Sequence, residues 1–480
     1  MSVTTELPSP GSALEAEDPR YQRVLLLLVM GSVMAFGSLM TIVTIALGEI
    51  ATDLGSSRAT LTWLVTGLML AMAVTTPLAG KIGDVRGHRK MFLYGLTGSA
   101  VTTAACGLAW DATSLIVFRV LFGLSGAFVV PNSMALMMHA YGPNRRATAM
   151  GWFQFAMTGA PTIGLVLGGP MIDFIGWRNM FFVFAAITVI ALAAAWRHLR
   201  PAPTQDGASI DYLGGLSLAA AVLATLLAIT RVTTGLRDDG LGAALSDAVF
   251  WVLVAVGVVM LIWFIRTERR AAEPMLPLAY FRRPNFTLPM VSAAMVQFAY
   301  MGGFVVIPAL LTDQYRWSLG AIALLLAPRP AAFSLSSPLG GYLPARIGQK
   351  PPIVLGAVAM IISTLAFVWA SGYSSGFGIA LILVGLILAG VSAGISQPSV
   401  MAMVVDNVDD TDMGIANGMA QQVIFIGLVT GIQTMNVLAG DNASPERFAL
   451  TFAVGTTAAV IGLGTALAVR KPTTVADLLG

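Results

Sequence analysis

Gly80-Lys81-Ile82-Gly83-Asp84-Val85-Arg86-Gly87-His88-Arg89-Lys90 is a tight, glycine-rich, basic segment between two apolar runs, residues 61–78 and 91–108. A helix that crosses a bilayer needs about 20 apolar residues, and both runs come close to that. Four cations in so short a connection (Lys81, Arg86, Arg89 and Lys90) place it on the cytoplasmic side. The rest of the topology counts outward from there.

The chain is 56% hydrophobic and only 11% charged. Soluble domains carry about 25% charged residues, so this is an integral membrane protein. Its net charge of +3 is spread over short loops and forms no nucleic-acid-binding face. The one cysteine, Cys106, lies in an apolar run; it permits no internal disulfide and reads as a small packed hydrophobe. Residues 1–20 are polar and acidic at the start, unlike a signal peptide, and read as a disordered cytoplasmic tail; 471–480 reads as a cytoplasmic tail. His88, His139 and His198 stand far apart in sequence, without metal-ligand spacing. No Gly-Lys-Ser/Thr phosphate loop is present, so ATP does not power the protein directly. No cofactor is expected. An enzyme would need a His/Asp/Glu constellation near one interface; the acidic loop 406–412 comes nearest and lacks partners in sequence, so the chain does not read as an enzyme.

Hydropathy predicts about fourteen spans, at 24–47, 61–78, 91–108, 114–138, 149–174, 177–196, 213–232, 248–265, 288–311, 319–342, 353–370, 378–401, 414–437 and 449–469. Backbone polar groups in hydrocarbon must be paired within the segment, so these runs are helices and the fold class is all-α. With the N-terminus inside, nineteen Lys and Arg fall in inner loops and five in outer loops. That bias supports an even number of spans with both termini cytoplasmic. Pro77-Leu78-Ala79-Gly80 ends the second span and Pro338-Leu339-Gly340-Gly341 ends the tenth, an internal repeat. The expected organisation is two six-helix bundles, 21–200 and 271–470, joined by two additional transmembrane helices in 201–270. Two such halves rocking about a central site is a transporter design.

At these motifs the chain resembles the major facilitator superfamily, and more narrowly its fourteen-helix drug:proton antiporter subfamily. The basic loop matches the superfamily's loop motif at Gly80, Asp84, Gly87 and Arg89. Arg119-Val-Leu-Phe-Gly123, with Pro131 later, matches its fourth-helix motif at Arg119 and Gly123. Gly164-Leu-Val-Leu-Gly168-Gly169, followed by Trp177-Arg178, looks like the fifth-helix antiporter motif. Glu273-Pro274-Met-Leu-Pro277-Leu278, with Phe281-Arg282 and Asn285-Phe286, resembles the segment that leads into helix 9 of the subfamily. The resemblance implies a gating role for Asp84 and Arg89 and a proton-relay role for Arg119. Where the subfamily's first helix carries an acid, an Asn and a Pro, this chain has Met40, Thr44 and Gly48. The usual Pro after Gly164 is Leu165, with Pro161 as a substitute source of a kink.

Proton exchange needs a membrane-embedded acid whose proton trades for substrate. No Asp or Glu lies near the middle of a predicted span. Glu49 and Asp313, at external helix ends, are the coupling candidates beside Arg119; as ordinary interfacial carboxylates they need no such role. Arg329, between Pro328 and Pro330, falls near the middle of the tenth span. An arginine there costs about 2.5–3.5 kcal/mol on insertion scales. It serves either as an anion contact for substrate or as a structural group bonded to carbonyls that the prolines free. Met40, Trp63, Phe122, Gln154, Phe155, Gln297, Tyr300, Asn417 and Gln421, with Arg329, are the expected lining of a mostly apolar cavity; singly, each also reads as interhelical packing. The reading is a secondary active exporter of amphipathic organic compounds of the multidrug type, monomeric, in a bacterial cell membrane; whether protons drive it by antiport stays open. The alternative is an exporter or flippase of a lipid or other anionic amphiphile, motivated by the missing mid-membrane acid and the two arginines, Arg119 and Arg329, inside predicted spans.

Overall fold

The computed structural model describes residues 18–470 except 57, 62, 201–211, 239–245, 271–277, 318, 374 and 441–443. Both predicted tails beyond that range and the Glu273–Pro277 motif lie outside the described residues. The chain is helical: α1 Pro19–Asp53, α2 Trp63–Arg86, α3 His88–Gly107, α4 Ala112–Tyr141, α5 Arg146–His198, α6 Tyr212–Asp238, α7 Ala248–Arg270, α8 Pro284–Asp313, α9 Leu319–Leu326, α10 Pro328–Tyr342, α11 Lys350–Ala370, α12 Gly376–Val405, α13 Met413–Ala439 and α14 Pro445–Ala468. Capping chemistry sets several starts. Asp18 accepts the Arg20 N–H ahead of Pro19, and Ser444 accepts the Arg447 N–H ahead of Pro445. Asp111 and Ser114 form a reciprocal capping box at α4. The Ser114 N–H holds the exposed Asp111 carboxyl below its ordinary range.

Every predicted span coincides with helical structure. Ten helices among the described residues are long and apolar enough to cross a membrane. The count of fourteen additionally needs α3, the first part of α5, α6 and the α9–α10 pair. α5 runs through Pro161 and Pro170 and turns at Gly176, whose φ of 77° suits glycine, where the sequence predicts separate spans. The tenth predicted span falls on α9 and α10, which meet at Ala327 in helical conformation (φ −57°, ψ −37°); Pro328 and Pro330 lack the N–H groups that would bond across the junction, and Arg329 stands between them.

α1 packs along α5, and α4 packs between α2 and α3; α8 packs on α13 and α14, and α12 on α10 and α11. These two groups meet along two seams, α2 with α13 and α5 with α10. α6 and α7 pair with each other, and α6 rests on α2 and α13. α7 is apolar and mostly exposed, as suits a helix facing lipid. One large apolar cluster spans both groups at the basic end of the bundle, joining Met134 and Met150 to Val404 and Ile415. At the far end, two clusters each belong to one group: one around Leu39 and Phe181, the other around Leu310 and Phe452.

Candidate functional site

At the basic end α2 and α13 cross at backbone contact. A Cβ on Gly414 would lie 2.5 Å from the Gly80 carbonyl oxygen, so only hydrogen fits there. Gly87, with φ 96°, makes the turn from α2 into α3. This brings Asp84 under the N-terminus of α13, where its two oxygens accept the N–H groups of Gly414 (2.7 Å) and Ile415 (2.8 Å). A carboxylate there satisfies orphan backbone donors and meets the positive end of the helix dipole.

Ion pairs surround this crossing. Lys81 Nζ lies 3.2 Å from Asp412, which also accepts the Tyr280 hydroxyl at 2.8 Å. Burial pushes the Tyr280 phenol above its ordinary range, so it stays a donor. Arg146 donates to Asp406 (2.6 Å) and Asp410 (2.8 Å). The acidic loop 406–412, which in sequence has no partners, is thus the counter-surface of cations from the first group of helices. Arg89 does not cross the seam; it donates to the Trp196 carbonyl at 2.8 Å, within the first group. The partner of Asp84 is His88, whose Nε2 lies 3.2 Å from it.

The second seam is similar. Thr148 donates to the Gly341 carbonyl (3.1 Å), Trp152 Nε1 to the Tyr342 hydroxyl (3.1 Å) and Ser334 to the Phe155 carbonyl (2.9 Å). Between the seams lies a cavity of about 50 Å³, lined by Met72, Thr76 and Met157 from one group and Gln421, Gln422 and Phe425 from the other. At this size it holds a water or two. Gln422 Nε2 has no partner. One turn nearer the gate, Asn417 is fully buried; its Nδ2 approaches Met138 Sδ at 3.7 Å and its Oδ1 is unpartnered.

The two intramembrane arginines are each 1% exposed. Arg329 donates to the Tyr300 carbonyl, and its guanidinium lies 3.6 Å from the Tyr300 ring centroid and 4.9 Å from that of Phe304. Its Nε and Nη1 have no partner. Arg119 Nε donates to the Leu64 carbonyl (3.2 Å), its guanidinium faces Phe122, and Nη1 is unpartnered. Neither has an ion-pair partner among the described residues. A buried unsatisfied donor costs about 1–3 kcal/mol.

The expected lining is therefore divided. Gln421 borders the cavity, with Asn417 nearby; Tyr300 holds Arg329, and Gln297 is buried one turn before Tyr300 on α8. Phe122 is stacked on Phe36 (4.7 Å between centroids) inside the first group. Gln154 is buried in α5, and Phe155 offers its carbonyl at the second seam. Met40 is half-buried, and Trp63 is half-exposed at the far end of α2. Glu49 is exposed and Asp313 half-buried at helix ends. The sequence reading did not anticipate His88, Asn132, His139 or the buried Glu268 near the end of α7. An Asp84–His88 spacing of one helical turn was the signal available for the first of these.

A family model described as the Major Facilitator Superfamily matches residues 27–432. The chain belongs to the major facilitator superfamily. Relatives of this superfamily member carry efflux names. It is 30% identical over 423 residues to the "Tetracenomycin C resistance and export protein" of Streptomyces glaucescens, covering 85% of this chain and 75% of that one. It is 30% identical over 427 residues to "Drug efflux pump JefA" of Mycobacterium tuberculosis, covering 88% and 80%. It is 28% identical over 401 residues to "Multidrug resistance protein Stp" of the same species, covering 83% and 72%. The crystal structure of the human organic anion transporter MFSD10 (TETRAN) superposes with a TM-score of 0.62 at 15% identity, over 92% of this chain and 100% of that one, a likeness of fold. The protein is a multi-pass membrane transporter whose family and relatives are transporters rather than enzymes.

Proposed function

We propose that this transporter is a secondary active exporter of amphipathic organic compounds, of the fourteen-helix multidrug type, working by alternating access as a monomer. It sits in a bacterial cell membrane with both termini cytoplasmic. Its two bundles, 21–200 and 271–470, move about the central cavity, and the two additional helices in 201–270 brace the α2–α13 seam. The observation that carries the reading is an asymmetry. The bundles are bonded across the basic end by Asp84, Lys81 and Arg146, while at the far end the apolar clusters are separate. That is the shape of a carrier closed toward the cytoplasm and parted outward.

Widened by movement of the bundles, a cavity lined by Met72, Met157 and Phe425 suits varied apolar ligands, and Gln421 and Gln422 supply adaptable hydrogen bonds. Arg329, with two unpartnered donors beside aromatic rings, is the proposed contact for an anionic group on substrate. Export against a gradient needs an energy source, and proton antiport is the drive proposed.

The test is efflux of ethidium from proteoliposomes with and without an imposed pH gradient. Gradient-accelerated efflux supports the exporter. No ethidium movement, together with gradient-independent transfer of a fluorescent anionic phospholipid between leaflets, would replace it with a lipid flippase.

A further inference from the structure

A groove of about 400 Å³ opens on the first bundle, on the side of α2 turned away from the α13 seam. Ile82 and Arg86 each stand two residues from Asp84, about 200° around the helix from it. Ile82 of α2, Met91 of α3, and Leu124 and Phe128 of α4 give the groove apolar walls. Its floor is closed. A Cβ on Gly95 would lie 3.0 Å from the Ser125 carbonyl oxygen, so α3 and α4 meet there at backbone distance. The lip at the basic end is cationic. Arg86, which borders the groove, is exposed one turn beyond Ile82. Lys90 is exposed one turn before Tyr94, the amphipathic ring on the α3 side of the groove. Each cation thus continues a row of groove residues toward water. Gly87 has no side chain to cap the first turn of α3, so the positive end of that helix adds to the same lip. Arg89 is turned elsewhere, bonded to the Trp196 carbonyl.

We propose that this groove is a binding site for an anionic glycerophospholipid of the leaflet at the basic end. The lipid phosphate sits between Arg86 and Lys90, and one acyl chain lies along Leu124 and Phe128. The site goes beyond the exporter reading and does not depend on it. An apolar groove facing hydrocarbon gains no hydrophobic energy from a lipid chain, because the chain leaves an environment as apolar as the one it enters. The groove therefore fixes where a lipid sits, and the lip decides which lipid. An arginine fork matches two phosphate oxygens, and a lysine adds a point charge.

A zwitterionic lipid brings a phosphate too, but its own cation competes with the lip, so a lipid of net negative charge is preferred. A cationic amphiphile such as ethidium is turned away by the same two charges, which sets this groove apart from the cavity between the bundles. The acids of the gate do not offset the lip: Asp84 faces the α13 N-terminus on the opposite side of α2, and Asp412 is paired with Lys81. All the walls belong to α2, α3 and α4 of one bundle. A bound lipid therefore travels with that bundle and stays in place whether the basic end is closed or parted.

The test is native mass spectrometry of the full chain in detergent, titrated with dioleoylphosphatidylglycerol or with dioleoylphosphatidylcholine, which has the same acyl chains. A basic residue at an anionic headgroup is worth about fivefold in affinity, so the first phosphatidylglycerol should bind about 30-fold more tightly than the first phosphatidylcholine. Arg86→Gln or Lys90→Gln should each cut that preference about fivefold, and the two together should abolish it. Leu124→Trp fills the groove and leaves both cations, so it should weaken both lipids; with Lys90→Gln it carries the test if Arg86→Gln does not fold. Arg269→Gln with Arg270→Gln removes the same charge from the exposed end of α7 and should leave the preference intact. Equal binding of the two lipids by the unsubstituted protein, or the same loss in the α7 pair, would overturn the proposal. So would displacement of phosphatidylglycerol by an equal concentration of inorganic phosphate, which would leave the groove no part, or by ethidium, which would make it a path for exported compounds. A preference lost in Asp84→Asn would put the lipid between the bundles and overturn this site as well. Ethidium efflux is not the readout, so a failed exporter reading leaves the lipid site standing, and the reverse.

Discussion

Asp84→Asn tests how the two bundles are held. The amide keeps the size of the side chain but carries one acceptor oxygen where the carboxylate had two, and no charge. One of the bonds to Gly414 and Ile415 is lost and the other becomes a neutral pair. Hydrogen bonds to charged groups contribute about 1.5–3 kcal/mol net and neutral ones about 0.5–1.5. The helix-terminus interaction adds about 0.3–2 kcal/mol. Opening hydrates the wild-type carboxylate, a gain the amide has in smaller measure, so part of that loss is offset. The net cost to the closed state is about 1–3 kcal/mol, a shift of about 5- to 150-fold toward opening at the basic end. Trp152 and Tyr342 touch across the second seam, so cysteines at both positions, in a Cys106→Ala background, are joined by a short bis-maleimide when that end is closed. Cross-linking should fall steeply in Asp84→Asn while the melting temperature changes little, because the bundles themselves are intact. An unchanged cross-linking yield would refute the assignment of the gate to Asp84.

Gly80→Val places a side chain against the Gly414 backbone and should likewise lower cross-linking and ethidium efflux, with the protein still inserted and folded. Arg329→Met replaces a buried, partly unsatisfied cation by a similar apolar volume; the melting temperature should hold or rise, while an anionic dye is exported less well and ethidium is not. Asp111→Ala removes the α4 cap, whose carboxyl is held below its ordinary range. The cap's stabilisation is present above the unfolded value of about 3.9 and is lost as pH falls through the lower folded value. The melting-temperature difference between wild type and variant should therefore be full at neutral pH and vanish in strong acid.

The helices were legible because a bilayer leaves apolar segments one backbone solution, and even the break at Gly176 fell between two predicted runs. For Asp84 only an acid at a helix end was legible; that it meets the α13 N-terminus comes from the folded seam. The partners of 406–412 were not legible. Lys81 and Arg146 lie 331 and 260 residues from theirs, and only the folded seam brings them together. His88 and His139 looked unrelated for the same reason. Phe122 shows the opposite limit. An aromatic in an apolar helix reads alike whether it lines a cavity or packs, and here it stacks on Phe36.

The account stands most directly on the accessibility of Gln421, at the cavity between the bundles. A Gln421→Cys variant in the Cys106→Ala background is treated in right-side-out and inside-out vesicles with a membrane-impermeant maleimide. Labelling from the far side only, shifting to the basic side when Asp84→Asn is added, is the predicted result. Labelling from both sides at once, or from neither in both backgrounds, would contradict a cavity that opens alternately to the two faces of the membrane.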